Sequence, residues 1–182
     1  MALMELALIG PVVLLAIAAL FEFGYTYLAQ QLVQSATEVA ARAMQTGAAQ
    51  QTAVATGSTA AQTFVTSSLC PALLILPCGI SNPLVNVQAV PSGGNFFSLA
   101  GFSLPTTTSG GATSVNTGAL AYCNGQPGQL MQINVVYMAP VVLGFLWPNA
   151  INYNGSMSIP IYAGAAFADE KFPLAGTEAS SC

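Results

Sequence analysis

The sequence predicts an α+β protein in which a long N-terminal hydrophobic helix precedes a small antiparallel β-sheet head. Three observations predict this. Residues 6–21 are apolar without interruption, whereas "LVNVQAV" and "MQINVVY" further along alternate apolar and polar side chains. In addition, no residue from Ala43 to Ala168 is formally charged. A domain with so few charges is solvated by Ser, Thr, Asn and Gln or is covered by copies of itself. We therefore expect its surface to be covered by other copies of the chain in an assembly.

The N-terminal apolar segment has nearly the length that crosses a membrane. As a helix, residues 6–21 span about 24 Å, somewhat less than the roughly 30 Å of a hydrocarbon core. Residues 1–3 and 23–28 supply the missing length. Gly10 and Pro11 are expected to interrupt the helical hydrogen bonds near one turn, because proline has no N–H to donate.

Past Leu28 the helix is expected to continue as an amphipathic stalk. In "AQQLVQSATEVAARAMQ", apolar residues recur three and four positions apart among polar ones. Its many alanines allow close helix approach, which favours a helical bundle. Gly47 is expected to end it. We therefore divide the chain into a helix and stalk over residues 1–46, a second helical stretch over 47–69 that ends before Cys70, and a β-rich head over 70–182.

The head is expected to contain strands with one buried face each. Val85 and Val87 alternate with polar residues in the first strand, and Ile133 and Val135 do so in the second. Between them, "PTTTSGGATSVNTG" has no periodicity and predicts a surface loop.

A third strand follows a turn at Asn154 and Gly155, because Asn-Gly favours tight hairpins. Pro160 in that strand indicates an edge position. Asn154-Gly155-Ser156 also matches the acceptor pattern for N-glycosylation, although the same sequence is common in plain turns.

The charges exclude several functions. Two cationic residues against six acidic ones leave no basic surface for nucleic acid. The absence of His removes the commonest general base and metal ligand, so we expect no enzyme, no catalytic or metal site and no cofactor. Asp169, Glu170 and Lys171 are expected to be solvated end charges. With so few titratable groups, the stability of the head should vary little with pH.

The four cysteines predict two disulfides. Cys70, Cys78, Cys123 and Cys182 show no CxxC spacing, and no His is present to complete a zinc site. We favour a bond between Cys70 and Cys78, which closes "CPALLILPC", and one between Cys123 and Cys182. Buried free thiols are the alternative. A terminal residue is seldom buried unless it is tied down, which favours the disulfides.

Glu5 is a carboxylate inside the apolar segment, and such a group persists where a partner or a function retains it. One interpretation is a side chain that extends to the membrane edge; the other is pairing with the Met1 amine of a neighbouring subunit. The first cation is Arg42, so the basic region of a cleavable signal is missing. We therefore expect Met1 to arise by cleavage of a longer precursor.

These segments resemble the TadE-like pilins of type IVc (tight adherence) pilus systems. The resemblance is carried by "MELALIGPVVLLAIAALFEFG", by "QSATEVAARAM", and by "MQINVVYMAPVVLGFL" followed by "IPIYAGAAFADEKF". Glu5 matches the fifth-position glutamate of processed type IV pilin-like subunits. The resemblance implies cleavage by a prepilin peptidase before Met1 and a lollipop shape. It also implies that the helix spans the cytoplasmic membrane before assembly and forms the core of an extracellular filament on a prokaryotic cell afterwards.

The residues expected to act in assembly are Met1, Glu5, Gly10, Pro11, Glu22 and Arg42. For Glu22 we consider two roles. It lies at headgroup level beside interfacial aromatic residues, or it contacts Arg42 of another copy.

Three functions follow from these expectations. The first is a structural pilin that polymerises with copies of itself, helped by the pilus assembly machinery, for adhesion or surface attachment. The second is a minor pseudopilin that primes or caps a pilus made by another subunit. The third is a membrane-tethered binding module that does not polymerise.

Overall fold

The fold is described from a computed structural model of the chain. The residues that the structure describes are 2–48, 60–90, 94, 102–109, 112–123 and 128–170, and side chains are described from residue 7 onwards.

One long helix, α1, forms the N-terminal part of the molecule. It runs from Ala2 to Gln45 and contains Pro11. The helix nevertheless continues through Gly10 and Pro11, so the missing N–H of the proline does not end it. Gly47 does end the helix, as predicted: its φ is +73°, and its N–H bonds the carbonyl of Met44 at 2.9 Å.

A second helical segment, residues 60–73, packs against α1. It consists of α-helical turns at Ala60–Thr63 and Cys70–Leu73 with a π-helical stretch at Phe64–Leu69 between them. The predicted end before Cys70 is therefore wrong, since the segment continues to Leu73. Phe64, Leu69 and Leu73 are fully buried and share a core with α1.

The head contains a four-stranded antiparallel sheet in the order β1-β4-β6-β5. The strands are β1 (Leu84–Ala89), β4 (Leu130–Pro140), β5 (Ile151–Tyr153) and β6 (Ser156–Ala168), and a separate hairpin is formed by β2 (Thr106–Ser109) and β3 (Ala112–Val115). The predicted strands and their antiparallel arrangement are confirmed. Pro160 lies in an interior strand, but β5 pairs only with Ser156–Ser158, so the chain at Pro160 is locally an edge.

The hairpin of β2 and β3 replaces the predicted surface loop. Thr106 pairs with Val115 and Thr108 with Thr113. Threonine favours strands because its branched Cβ suits a pleated surface, and the sequence Gly-Gly between the two strands suits a tight turn. The absence of apolar alternation was therefore a poor reason to expect a loop here.

The C-terminal half of β4 is buried on both faces, contrary to the expectation of one buried face, whereas β6 from Ile161 to Ala168 buries a single face as expected. On one face, Ile133, Val135 and Tyr137 pack with α1 and with the segment 60–73. On the other face, Val136 and Met138 form a second core, which is closed by Leu84 and Leu104 and by flanking residues from 102–120.

Cys70 and Cys78 form a disulfide, as predicted. Cys123 is also disulfide-bonded. Its predicted partner, Cys182, lies outside the described residues, so that pairing stays a prediction.

Candidate functional site

The two halves of α1 have opposite environments. From Ala29 onwards, one face of the helix is buried in the head: Ala29, Val33, Ala36, Ala40 and Met44 are at most 1% exposed. Before Ala29 the large apolar side chains are exposed, among them Leu8, Leu14, Leu20 and Phe21, which are 69–77% exposed. The alanine face is thus buried against the sheet and the segment 60–73 of its own subunit, a packing that the expectation of a helical bundle did not include.

Glu22 joins the exposed half of α1 to the head. Its Oε1 accepts a hydrogen bond from the backbone N–H of Val142 at 2.6 Å and another from that of Leu143 at 3.0 Å. Both donors lie just past the end of β4, where the chain turns towards α1. A carboxylate that accepts two backbone N–H groups satisfies donors that have left the strand ladder. The second oxygen, Oε2, is buried without a partner among the described residues.

An aromatic contact lies beside the Glu22 carboxylate. The rings of Phe23 and Trp147 are 5.1 Å apart between centroids at an interplanar angle of 56°. Trp147 follows a short 3₁₀ turn, Gly144–Leu146, and its N–H bonds the carbonyl of Gly144 at 3.1 Å. The loop over residues 141–150, which we call the β4–β5 loop, is therefore fixed to α1 by a charged contact and an aromatic one.

Among the described assembly residues, Arg42 lies far from Glu22. Met1 and the side chain of Glu5 lie outside the described part of the chain. Arg42 is exposed in the last turn of α1, where a cation suits the helix dipole, and it is about 30 Å along the helix from Glu22. A contact between Glu22 and Arg42 of another copy stays a prediction.

Asp169 is not the solvated end charge that we expected. The residue is only 4% exposed, and both carboxyl oxygens are buried without a hydrogen-bond partner among the described residues. Burial raises the pKa of Asp169 to about 7. The backbone explains the burial, because the N–H of Asp169 bonds the carbonyl of Gln129 and the N–H of Glu170 bonds that of Gln45.

Asn154 occupies the turn of the β5–β6 hairpin. Its φ is +50° and that of Gly155 is +82°, as a type I′ turn requires, so the turn prediction is confirmed. The side chain is exposed, and its glycosylation stays a prediction. No cluster of three or more His, Cys, Asp or Glu that could hold a metal occurs in the described part of the chain.

Sequence reasoning missed the contact between Glu22 and the β4–β5 loop and the burial of Asp169. For Glu22 a signal was present: it is the last carboxylate of the apolar segment, and "VVLGFLWP" is a second apolar run without a strand pattern. Nothing in either run specifies the other as its partner, however, because they lie about 120 positions apart.

Comparison with known proteins bears on the N-terminal segment. Residues 1–42 match the model of the TadE-like protein family. No match was found among curated proteins or among solved structures. By length and composition α1 also qualifies as a membrane span: its most apolar window has a mean hydropathy of 2.2, and none of that window is buried. These findings suggest association with a membrane or a pilus, and they show that the first 42 residues, which include the exposed half of α1 and Glu22, are similar to TadE-like proteins.

Proposed function

We propose that this chain is a structural pilin subunit that polymerises through the exposed half of α1 into an extracellular Tad-type filament. The observation that supports this most strongly is the division of α1. Its C-terminal half is part of the core of the head, whereas its N-terminal half leaves the head with its large apolar side chains uncovered. An apolar surface of that size needs a cover, since exposed patches of this kind mark membrane or protein contacts.

The proposal assigns two successive covers to this surface. Before assembly the exposed half lies in the cytoplasmic membrane, because its length and hydropathy suit a bilayer. After processing by a prepilin peptidase and extraction by the assembly machinery, the same surface packs against the corresponding helices of neighbouring copies. The TadE-like match over residues 1–42 covers this part of the molecule.

Glu5 has a specific role in this proposal. It pairs with the N-terminal amine of an adjacent subunit in the filament core, where both groups are shielded from water. Removing one member of a shielded ion pair leaves the other charge uncompensated, which costs about 3–5 kcal/mol. The pair would therefore set the register of each incoming subunit.

The test is to express Glu5→Ala and Glu5→Gln in a strain without the wild-type copy. Both variants should insert and fold, since loss of a charge eases insertion of an apolar helix, but filaments counted by electron microscopy should be lost. Glu38→Gln is the matched control, because Glu38 is exposed on the same helix and accepts only from Gln34 Nε2 at 3.3 Å. Normal filaments from Glu5→Ala would contradict the proposed role of Glu5.

The composition of purified filaments tests the role of the subunit. Mass spectrometry should find this chain as the dominant protein. A trace amount at the filament end or base would instead support the minor pseudopilin. A chain that remains a monomer in the membrane and never enters filaments would support the tethered binding module.

A further inference from the structure

Two loops lie together at one end of the sheet, which we call the base of the head. The base consists of the loop over residues 74–83 and the β4–β5 loop. Asn82 binds the first loop to the C-terminal end of β4, from which the second loop continues: its side-chain Nδ2 donates to the carbonyl of Met138 and its Oδ1 accepts from the N–H of Met138, both at 3.0 Å. Tyr153 then donates its hydroxyl to the carbonyl of Ser81. Both loops therefore lie at the C-terminal end of β4.

The base carries large apolar side chains that the subunit does not cover. They are Leu74, Ile75, Ile80, Val142 and Phe145, and they are 66–94% exposed. Neither loop contains a charged residue. Five exposed large apolar residues within two adjacent loops form a patch, whereas single exposed apolar residues are ordinary.

The position of the base along α1 is fixed by Glu22. From Ala2 to Glu22 the helix is about 30 Å long, which is the thickness of the hydrocarbon core. When this part of α1 spans a bilayer, Glu22 and the loop bound to it lie at the membrane boundary. Phe23 and Trp147 then lie at the depth where aromatic side chains are enriched.

The backbone of the β4–β5 loop is suited to an apolar environment. In lipid, an N–H group without a partner is costly. The N–H groups of Val142 and Leu143 bond Glu22. Four other backbone N–H groups of the loop bond backbone carbonyls. Val141 donates to Met157 and Leu146 to Leu143. Trp147 donates to Gly144 and Ala150 to Trp147. Pro148 has no N–H at all. Most backbone donors of this loop are thus satisfied without water, whereas the indole N–H of Trp147 is buried without a partner among the described residues.

From this juxtaposition of two uncharged apolar loops with the end of the apolar helix, we infer that the base of the head docks on the lipid bilayer around α1 before assembly. Phe145, Val142, Ile75 and their neighbours enter the boundary between headgroups and acyl chains. Because the base has no cation, docking does not depend on anionic lipid. This rests on the membrane-inserted stage of the proposed function and adds a second contact of the subunit with lipid.

The test uses the full chain, one copy per phosphatidylcholine nanodisc, so that no second copy can cover the base. Trp147 is the only tryptophan of the chain. In a Trp147→Phe background, a single tryptophan is introduced by Phe145→Trp or by Ile75→Trp. The control is Val39→Trp, at a position that is 52% exposed on α1 and about 25 Å further from the membrane along the helix.

The measurement is fluorescence quenching by phosphatidylcholine that is brominated at shallow acyl positions. We expect at least a twofold loss of intensity at positions 145 and 75 and no loss at position 39. Unfolding midpoints equal to that of Trp147→Phe establish that the three variants are folded. If tryptophan at positions 145 and 75 is quenched as weakly as at position 39, the inference is overturned. If these positions are shielded from solvent only in filaments, the base belongs to a contact between subunits instead.

The two proposals fail in different ways. A chain that does not enter the disc contradicts the membrane stage and, with it, the docking of the base. A chain that inserts stably but shows no quenching at 145 and 75 overturns only the docking.

Discussion

The Oε1 atom of Glu22 lies 2.6 Å from the backbone nitrogen of Val142, although the two residues are 120 positions apart in the sequence. The same oxygen also accepts from Leu143. This carboxylate therefore fixes where the exposed half of α1 stands relative to the sheet. An acidic residue at the end of an apolar segment here has a structural role within its own subunit.

Replacing Glu22 should loosen the head from the helix. Glu22→Ala removes an acceptor shared by two backbone donors, so we expect the free energy of unfolding to fall by about 2 kcal/mol. Glu22→Gln should lower the free energy of unfolding by less, since the amide oxygen can still accept hydrogen bonds from the two backbone N–H groups. Urea unfolding in detergent, followed by the fluorescence of Trp147, measures both.

Glu38→Ala is the control for that series. Glu38 is exposed and accepts a hydrogen bond from the exposed Gln34 side chain, so its loss should change stability by less than about 0.5 kcal/mol. Equal effects of the two alanine variants would mean that the contact between Glu22 and the loop contributes nothing to stability.

The sequence predicted the local features of this fold well. The period of two in β1 and β4 and the Asn154-Gly155 turn each depend on neighbouring residues, and the structure confirms them. Gly47 likewise ends α1 through its own backbone conformation.

The features that depend on distant parts of the chain could not be predicted. The partner of Glu22 comes from a loop 120 positions away, and no spacing rule connects them. The second buried face of β4 arises because Leu104, with Phe102, Val115 and Leu120 beside it, packs over Val136 and Met138. Asp169 was expected at the surface because charged residues usually lie there, whereas backbone pairing past the end of β6 buries it.

The stability of the head should fall as pH rises from about 4 to about 7. The pKa of Asp169 is raised from 3.8 to about 7 by burial, so the unfolded chain ionises first and the folded state holds the proton longer. Below pH 4 both states are protonated and stability is greatest. Above pH 7 the folded state contains a buried anion, at a cost on the order of 4 kcal/mol. This replaces our expectation of pH-independent stability.

Melting temperatures between pH 3 and pH 8 check this, with Asp169→Asn as the test variant. The amide does not ionise, so the melting temperature of the variant should fall much less with rising pH than that of the wild type. At pH 8 the variant should be the more stable of the two. Glu170→Gln is the control, because Glu170 is exposed and its removal should leave the profile unchanged. A wild-type profile that is flat over this range would show that Asp169 is solvated or paired.

Enlarging Ala40 should destabilise the isolated subunit. Ala40 has no exposed surface and contacts the core of its own head, so Ala40→Leu forces two packed layers apart and should cost about 1–3 kcal/mol. Val39→Leu, at a half-exposed neighbour, should have little effect. Chemical unfolding of the two variants in detergent compares them. If Ala40→Leu left the subunit as stable as the wild type and impaired only assembly, the alanine face would belong to a contact between subunits.

Removing the disulfide at the base of the head should weaken the subunit moderately. Cys70 and Cys78 are eight positions apart, and a loop of this size stabilises a protein by about 2.5 kcal/mol through restriction of the unfolded chain. Cys70→Ala/Cys78→Ala should lower the free energy of unfolding by that amount. Non-reducing peptide mapping of the wild type should in addition recover Cys123 linked to Cys182. A link from Cys123 to any other chain would contradict the predicted pairing.

The unbroken course of α1 has a mechanical consequence. A force applied to its N-terminal end is transmitted along one continuous helix from Ala2 to Gln45. In the second half of the helix, the buried side chains of Val33, Ala36 and Ala40 transmit this force to the head. Such a force acts in shear along the whole helix–sheet contact, so many contacts resist it at once. Tension applied to the helix is therefore shared by the entire head, and in a fibre of such subunits the compliance would lie in the joints between them.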